Sequence, residues 1–160
     1  LEADGADTLI RKTLLARTAK LWPGSPLLVP VITLTTPLQT AIRRARLQSR
    51  IRYGAEPILE KLVSEKTGIA NVKSQSAAPY GERISRLLIF SNDGAERFYR
   101  RIEQTLTAHA PRILGCLLDA DGDTLGKVIT GKPGTIKTLL IEHKDAVSDI
   151  LRVIISAETE

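Results

Sequence analysis

Residues 86–118 read RLLIFSNDGAERFYRRIEQTLTAHAPRILGCLL, and the fold class turns on how this stretch is parsed. Arg86 to Phe90 is an apolar run too short for a buried helix and well suited to a strand. Asp93-Gly94 follows as a turn or cap. From Ala95 to Ala110, Phe98, Ile102 and Leu106 recur at helical spacing, and Pro111 stops the pattern because it cannot continue a helix. Arg112 to Leu118 is a second apolar run. Strand, helix, strand is the unit of an α/β fold. Downstream, Leu125 to Thr130, the turn at Gly131 to Gly134, and Ile136 to Ile141 predict a hairpin, and Asp145 to Ile155 a last helix.

Toward the amino terminus, Asp7 is the expected cap of a first helix over Thr8 to Leu21, ended by Trp22-Pro23-Gly24. Leu27 to Thr35 is a β-branched apolar run interrupted by Pro30, which fits an edge strand or one that begins after the proline. Thr36 caps a helix with Pro37 at its first position, running to about Tyr53. A further helix is predicted over Pro57 to Lys66, stopping at Gly68. Residues 71–82 are small and polar and read as a connection. The expected arrangement is α/β, with α+β as the variant. A basic, mainly helical segment with one short strand (1–70) packs on a carboxyl-terminal α/β unit (83–160), the whole forming one compact domain.

The chain has 160 residues, 42% apolar, and so can bury a core without disulfides or metal staples. Aromatic residues make up only 4%, so the core must be aliphatic. One cysteine, Cys116, cannot form an internal bridge and predicts a reducing compartment, the cytoplasm by default. No run of eighteen apolar residues is present, which excludes a helical span of that kind, and three acids within the first ten residues argue against a targeting peptide.

Charge is unevenly placed. Residues 1–80 hold twelve Lys and Arg against six acids, whereas residues 81–160 hold eleven against twelve. Arg43, Arg44, Arg46, Arg50 and Arg52 fall within ten residues that contain no acid. That is the electrostatic footprint of a polyanion partner, either nucleic acid or an acidic protein surface.

Acids cluster elsewhere. If the chain stays extended after Leu118, Asp119, Asp121 and Asp123 project from one face and could share a hard divalent cation through oxygen, Mg2+ or Mn2+. As a calcium loop the segment fails, because Thr124 stands where the sharp turn needs Gly and Thr130 where a bidentate Glu belongs. GKPGTIKT at 131–138 fails as a phosphate-cradling loop, since Ile136 replaces the glycine that lets backbone approach phosphate.

Two family resemblances overlap these acids. LGCLLDADG, residues 114–122, is similar to the LAGLIDADG motif of homing endonucleases, which would make Asp121 the acid delivered to a metal. Asp121 or Asp123 followed by Glu142-His143-Lys144 at the end of an apolar run resembles the D…ExK pattern of PD-(D/E)xK nucleases. That resemblance implies metal ligation by Asp121 or Asp123 and by Glu142, water activation by Lys144, and Glu103 as a helix-borne acid. With Asp119 added from the alternation, the predicted metal set is Asp119, Asp121, Asp123 and Glu142, and the predicted catalytic set Asp121, Glu142 and Lys144.

The expected function is therefore a nucleic-acid-associated basic protein in which Arg43, Arg44, Arg46, Arg50 and Arg52 contact phosphates, with divalent-metal-dependent cleavage as its enzymatic form. The rival reading is a non-catalytic assembly subunit of a larger complex, such as a ribonucleoprotein.

Overall fold

The computed structural model describes residues 12–75 and 84–159. Six strands form one mixed sheet: β1 (Thr18–Lys20), β2 (Leu28–Ile32), β3 (Ile51–Tyr53), β4 (Arg86–Phe90), β5 (Ile113–Leu118) and β6 (Thr138–Ile141). Their spatial order is β1-β2-β5-β4-β6-β3. β2, β5 and β4 run parallel, whereas β1, β6 and β3 are antiparallel to their neighbours. Four helices connect them and a fifth follows β6: α1 (Thr36–Leu47), α2 (Ala55–Gln75), α3 (Glu96–Ala108), α4 (Gly122–Thr130) and α5 (Lys144–Thr159). Residues 12–15 are helical as well.

The central strands explain the layering. A strand covered on both faces has no polar side, and RLLIF, ILGCLL and TLLI are accordingly almost uniformly apolar. Successive side chains of β4 point to opposite faces. Leu87 and Ile89 enter a core with α1, α4 and α5, while Leu88 and Phe90 enter one with α2 and α3. The result is an α/β sandwich of three layers, and strands from both halves of the chain share its sheet. Among the described residues no helix is long and apolar enough to cross a membrane.

Several predicted elements take other forms. The first helix was expected to reach Leu21, but Thr18–Lys20 is a strand paired antiparallel with Leu28–Pro30, because the Trp22 to Ser25 turn reverses the chain into a hairpin. The Asp7 cap lies outside the described residues. Pro30 sits within β2, and the ladder to β5 starts just past it at Val31. α1 is capped by Thr35, whose hydroxyl accepts from the Leu38 amide, and it ends at Leu47. Ser49, at a φ of 58°, turns the chain back, and 51–53 becomes an edge strand. The first half thus carries three short strands where one was expected.

α2 runs through Gly68 to Gln75, so of the predicted connection only residues 76–82 lie outside the described residues. The predicted hairpin after Leu118 is helix α4 followed by strand β6. Asp121 caps α4, Leu125, Val128 and Ile129 bury one side of it, and Gly131 closes it in the left-handed conformation at a φ of 74°. Residues 131–137 then pass back along α4. The Ile136 amide donates to the Gly122 carbonyl, and the Gly134 carbonyl lies where a side chain on Gly126 would stand.

Candidate nucleic-acid interface

Leu38, Ile42 and Ala45 face the core from α1, so a helical period of 3.6 residues turns Arg43, Arg44 and Arg46 toward solvent. Two of these reach the end of the neighbouring α4. Arg43 Nε donates to the Val128 carbonyl at 3.2 Å and Arg46 Nη1 to the Ile129 carbonyl at 2.7 Å. Cations at a helix carboxyl terminus meet its partial negative charge, which favours this packing. Lys127, in the same turn of α4, and Lys132, just past Gly131, are both exposed.

Arg44 is exposed and Arg50 half-buried, and neither is ion-paired with another described residue. Arg52 differs from the other four. Its Nε and Nη2 donate to the two Glu142 carboxylate oxygens at 2.9 and 3.4 Å, and this hydrogen bond, with the charge beside it, raises the guanidinium pKa further. A predicted phosphate contact and a predicted catalytic acid are thus each other's partner.

The strand directions separate the remaining acids. β6 is antiparallel to β4, pairing Thr138 with Phe90 and Ile141 with Leu87. Glu142 and Lys144 therefore follow the end of the sheet at which β4 and β5 begin, and the three aspartates follow the end at which they finish. Glu142 is level with Arg86 and Ile113, and six strand positions at about 3.3 Å each from Ile113 to Asp119 set these groups on the order of 20 Å apart. The chain after Leu118 does not stay extended either, because helix α4 starts at Gly122.

Each aspartate has its own local partner. Asp119 accepts from Arg17 Nη2 at 3.1 Å and Asn92 Nδ2 at 3.3 Å. Asp121 accepts from the Thr124 amide at 2.7 Å, and contacts with Thr124 hold its carboxyl below the usual range. Asp123 accepts from the Thr135 hydroxyl. Glu103 accepts from the Trp22 indole at 2.9 Å and the Ser25 hydroxyl at 2.8 Å, with Arg100 stacked 4.2 Å above the Trp22 ring. His143 Nδ1 accepts from the Asp145 amide. Among the described residues, no three His, Cys, Asp or Glu side chains are grouped to hold a metal ion.

In α/β sheets, ligands commonly sit outside the carboxyl ends of parallel strands where adjacent strands feed helices on opposite faces. Here that point lies between β4 and β5, and Asp119 bridges it to Arg17 and Asn92. Asp93, expected only as part of a turn or cap, accepts from the Gly122 amide at 3.1 Å, and its carboxyl is held below the usual range by the adjacent Ser91 hydroxyl and by that amide. Only the position of Asp93 beside a turn glycine hints at a capping role, and its target is 29 residues away. The sequence reading also missed Lys127 and Lys132 as parts of the basic surface, since only the packing of α1 on α4 brings them to Arg43 and Arg46.

No protein-family model and no curated protein matches the chain. Solved structures share its fold. A protein of unknown function from Bacillus halodurans superposes with a TM-score of 0.52 at 11% identity, covering 74% of this chain and 96% of its own. A 15.5 kD RNA binding protein from Giardia lamblia superposes with a TM-score of 0.50 at 11% identity, covering 77% of this chain and 85% of its own. The chain is similar to both in fold.

Proposed function

We propose that the protein binds nucleic acid, and RNA in particular, through the basic surface of α1 and the end of α4. One observation carries the reading: Arg43, Arg44, Arg46 and Arg50 stand on one helix and the turn after it, and none is ion-paired with another described residue. Lys127 and Lys132 extend the same surface. Cations that the fold leaves without counter-charge are available to phosphates, and the counterions this releases drive binding. The fold shared with an RNA binding protein supports the choice of RNA. A cleaving role would require Asp121 and Glu142 to act together across the length of β6, so binding without cleavage is the reading favoured.

Fluorescence anisotropy with a labelled single-stranded RNA tests this directly. Four phosphate contacts give a slope of log affinity against log salt near −3, at about −0.7 per contact. Charge reversal at Arg44 and Arg50 is expected to weaken binding at least tenfold. No binding at about 50 mM salt, or an R44E/R50E variant that binds as the wild type does, overturns the reading. Equal competition by an acidic polypeptide would instead favour docking on a protein surface.

A further inference from the structure

We infer that Arg43 and Arg46 form a fork that takes one phosphate group between them, a deepening that rests on the nucleic-acid reading above. The two acceptors that anchor them, the Val128 and Ile129 carbonyls, belong to consecutive residues in the last turn of α4. The two guanidinium groups are therefore held side by side. Arg43 spends Nε on its carbonyl, leaving both terminal nitrogens; Arg46 spends Nη1, leaving Nη2 and Nε.

Two adjacent positive charges repel, and a helix carboxyl terminus supplies only about half a negative charge against them. No described carboxylate pairs with either group to relieve the repulsion. An oxyanion with several acceptor oxygens does relieve it. The planar, fixed donors of two guanidinium groups match a phosphate in a way that two ammonium groups do not. Lys127 and Lys132, both exposed, lie within three residues in sequence of the anchoring pair Val128 and Ile129 and favour a group that belongs to a longer polyanion. Anchoring by backbone carbonyls also removes part of the ordering cost that an exposed arginine ordinarily incurs on binding.

The test conserves charge. R43K, R46K and R43K/R46K variants of the full chain are titrated with labelled single-stranded RNA beside R97K/R101K, a control on α3 at the opposite face of the sheet. The double lysine variant at 43 and 46 is expected to lose roughly tenfold or more in affinity, with each single variant losing most of it, while the α3 control stays within about twofold. Circular dichroism and thermal melts of the single variants confirm that fold is retained.

If wild type binds RNA and R43K/R46K binds equally well, the fork is overturned and the nucleic-acid reading stands. If wild type does not bind RNA, the nucleic-acid reading falls, and inorganic phosphate decides the fork: a rise in wild-type melting temperature with phosphate, absent in R43K/R46K, supports a free-anion site, and no rise overturns it.

Discussion

Replacing Gly126 with alanine is expected to destabilise the protein, although glycine-to-alanine changes inside helices ordinarily stabilise. A Cβ built on Gly126 falls 2.0 Å from the Gly134 carbonyl oxygen and 2.8 Å from its carbon, whereas real Cβ atoms essentially never come within 3.0 Å of such a neighbour. Both contacts are backbone, so the returning 131–137 segment must shift by about 1 Å, and overpacking of this kind costs about 1–3 kcal/mol. We take the upper end, because the Ile136 amide 3.2 Å away is fixed by its bond to the Gly122 carbonyl. Against this stands a helix-propensity gain of about 1 kcal/mol. The net loss is about 2 kcal/mol, or a melting temperature lower by about 4–8 °C for a chain of this size. Gly68 in α2 is the matched control. An added Cβ there meets nothing within 4 Å, so Gly68→Ala should gain the propensity term alone and melt about 2–4 °C higher. Thermal melts by circular dichroism read both. A Gly126→Ala variant that melts with or above wild type, beside a Gly68→Ala variant that behaves as expected, refutes the reasoning.

Acid should unfold the protein in two stages. Burial lowers the His109 pKa below its ordinary 6.5, so as pH falls below that value the unfolded chain takes up a proton that the folded chain resists, and stability declines. Burial raises Glu65, but hydrogen bonds from Arg86 and Arg112 outweigh it and hold the carboxyl below 4.5; its contribution is present above that pH and lost as pH falls through the folded value. Melting temperature against pH should lose the first step in His109→Gln and the second in Glu65→Gln, and an unchanged profile would contradict the assignment. Asp121→Ala, removing a helix cap, should lower the melting temperature equally with and without magnesium; a loss confined to magnesium-containing buffer would identify a ligand instead. Burial pushes the Cys116 thiol up to about 12, so a thiol reagent should label it only on unfolding, and rapid native labelling would show that β5 opens.

How much was legible from residues alone follows from where the deciding interactions lie. β4, α3 and β5 were readable because each is bounded by its own chemistry, Asp93-Gly94 on one side of the helix and Pro111 on the other. α4 was not, since Leu125 to Thr130 is rich in β-branched residues, and its helical state depends on the Asp121 cap and on glycines that admit a distant segment. β3 was hidden because the arginines continue the α1 pattern with no glycine or proline before Gly54, leaving the reversal to Ser49.

The charge of the interface was visible in the spacing of its arginines, but their partners were not. Arg52 meets Glu142 across 90 residues, and Arg43 meets Val128 across 85. The separation of Glu142 from the aspartates hinges on the direction of β6, which nothing in its four residues, TLLI, encodes.

Trp22 is the only indole in the chain, and it is fastened at the seam between the β1–β2 hairpin and α3 by Glu103 and Arg100. Its emission is therefore a built-in optical gauge of that seam and of little else. Followed alongside far-ultraviolet ellipticity during denaturation, it would separate peeling of the outermost hairpin from collapse of the whole sheet, without any label having to be attached.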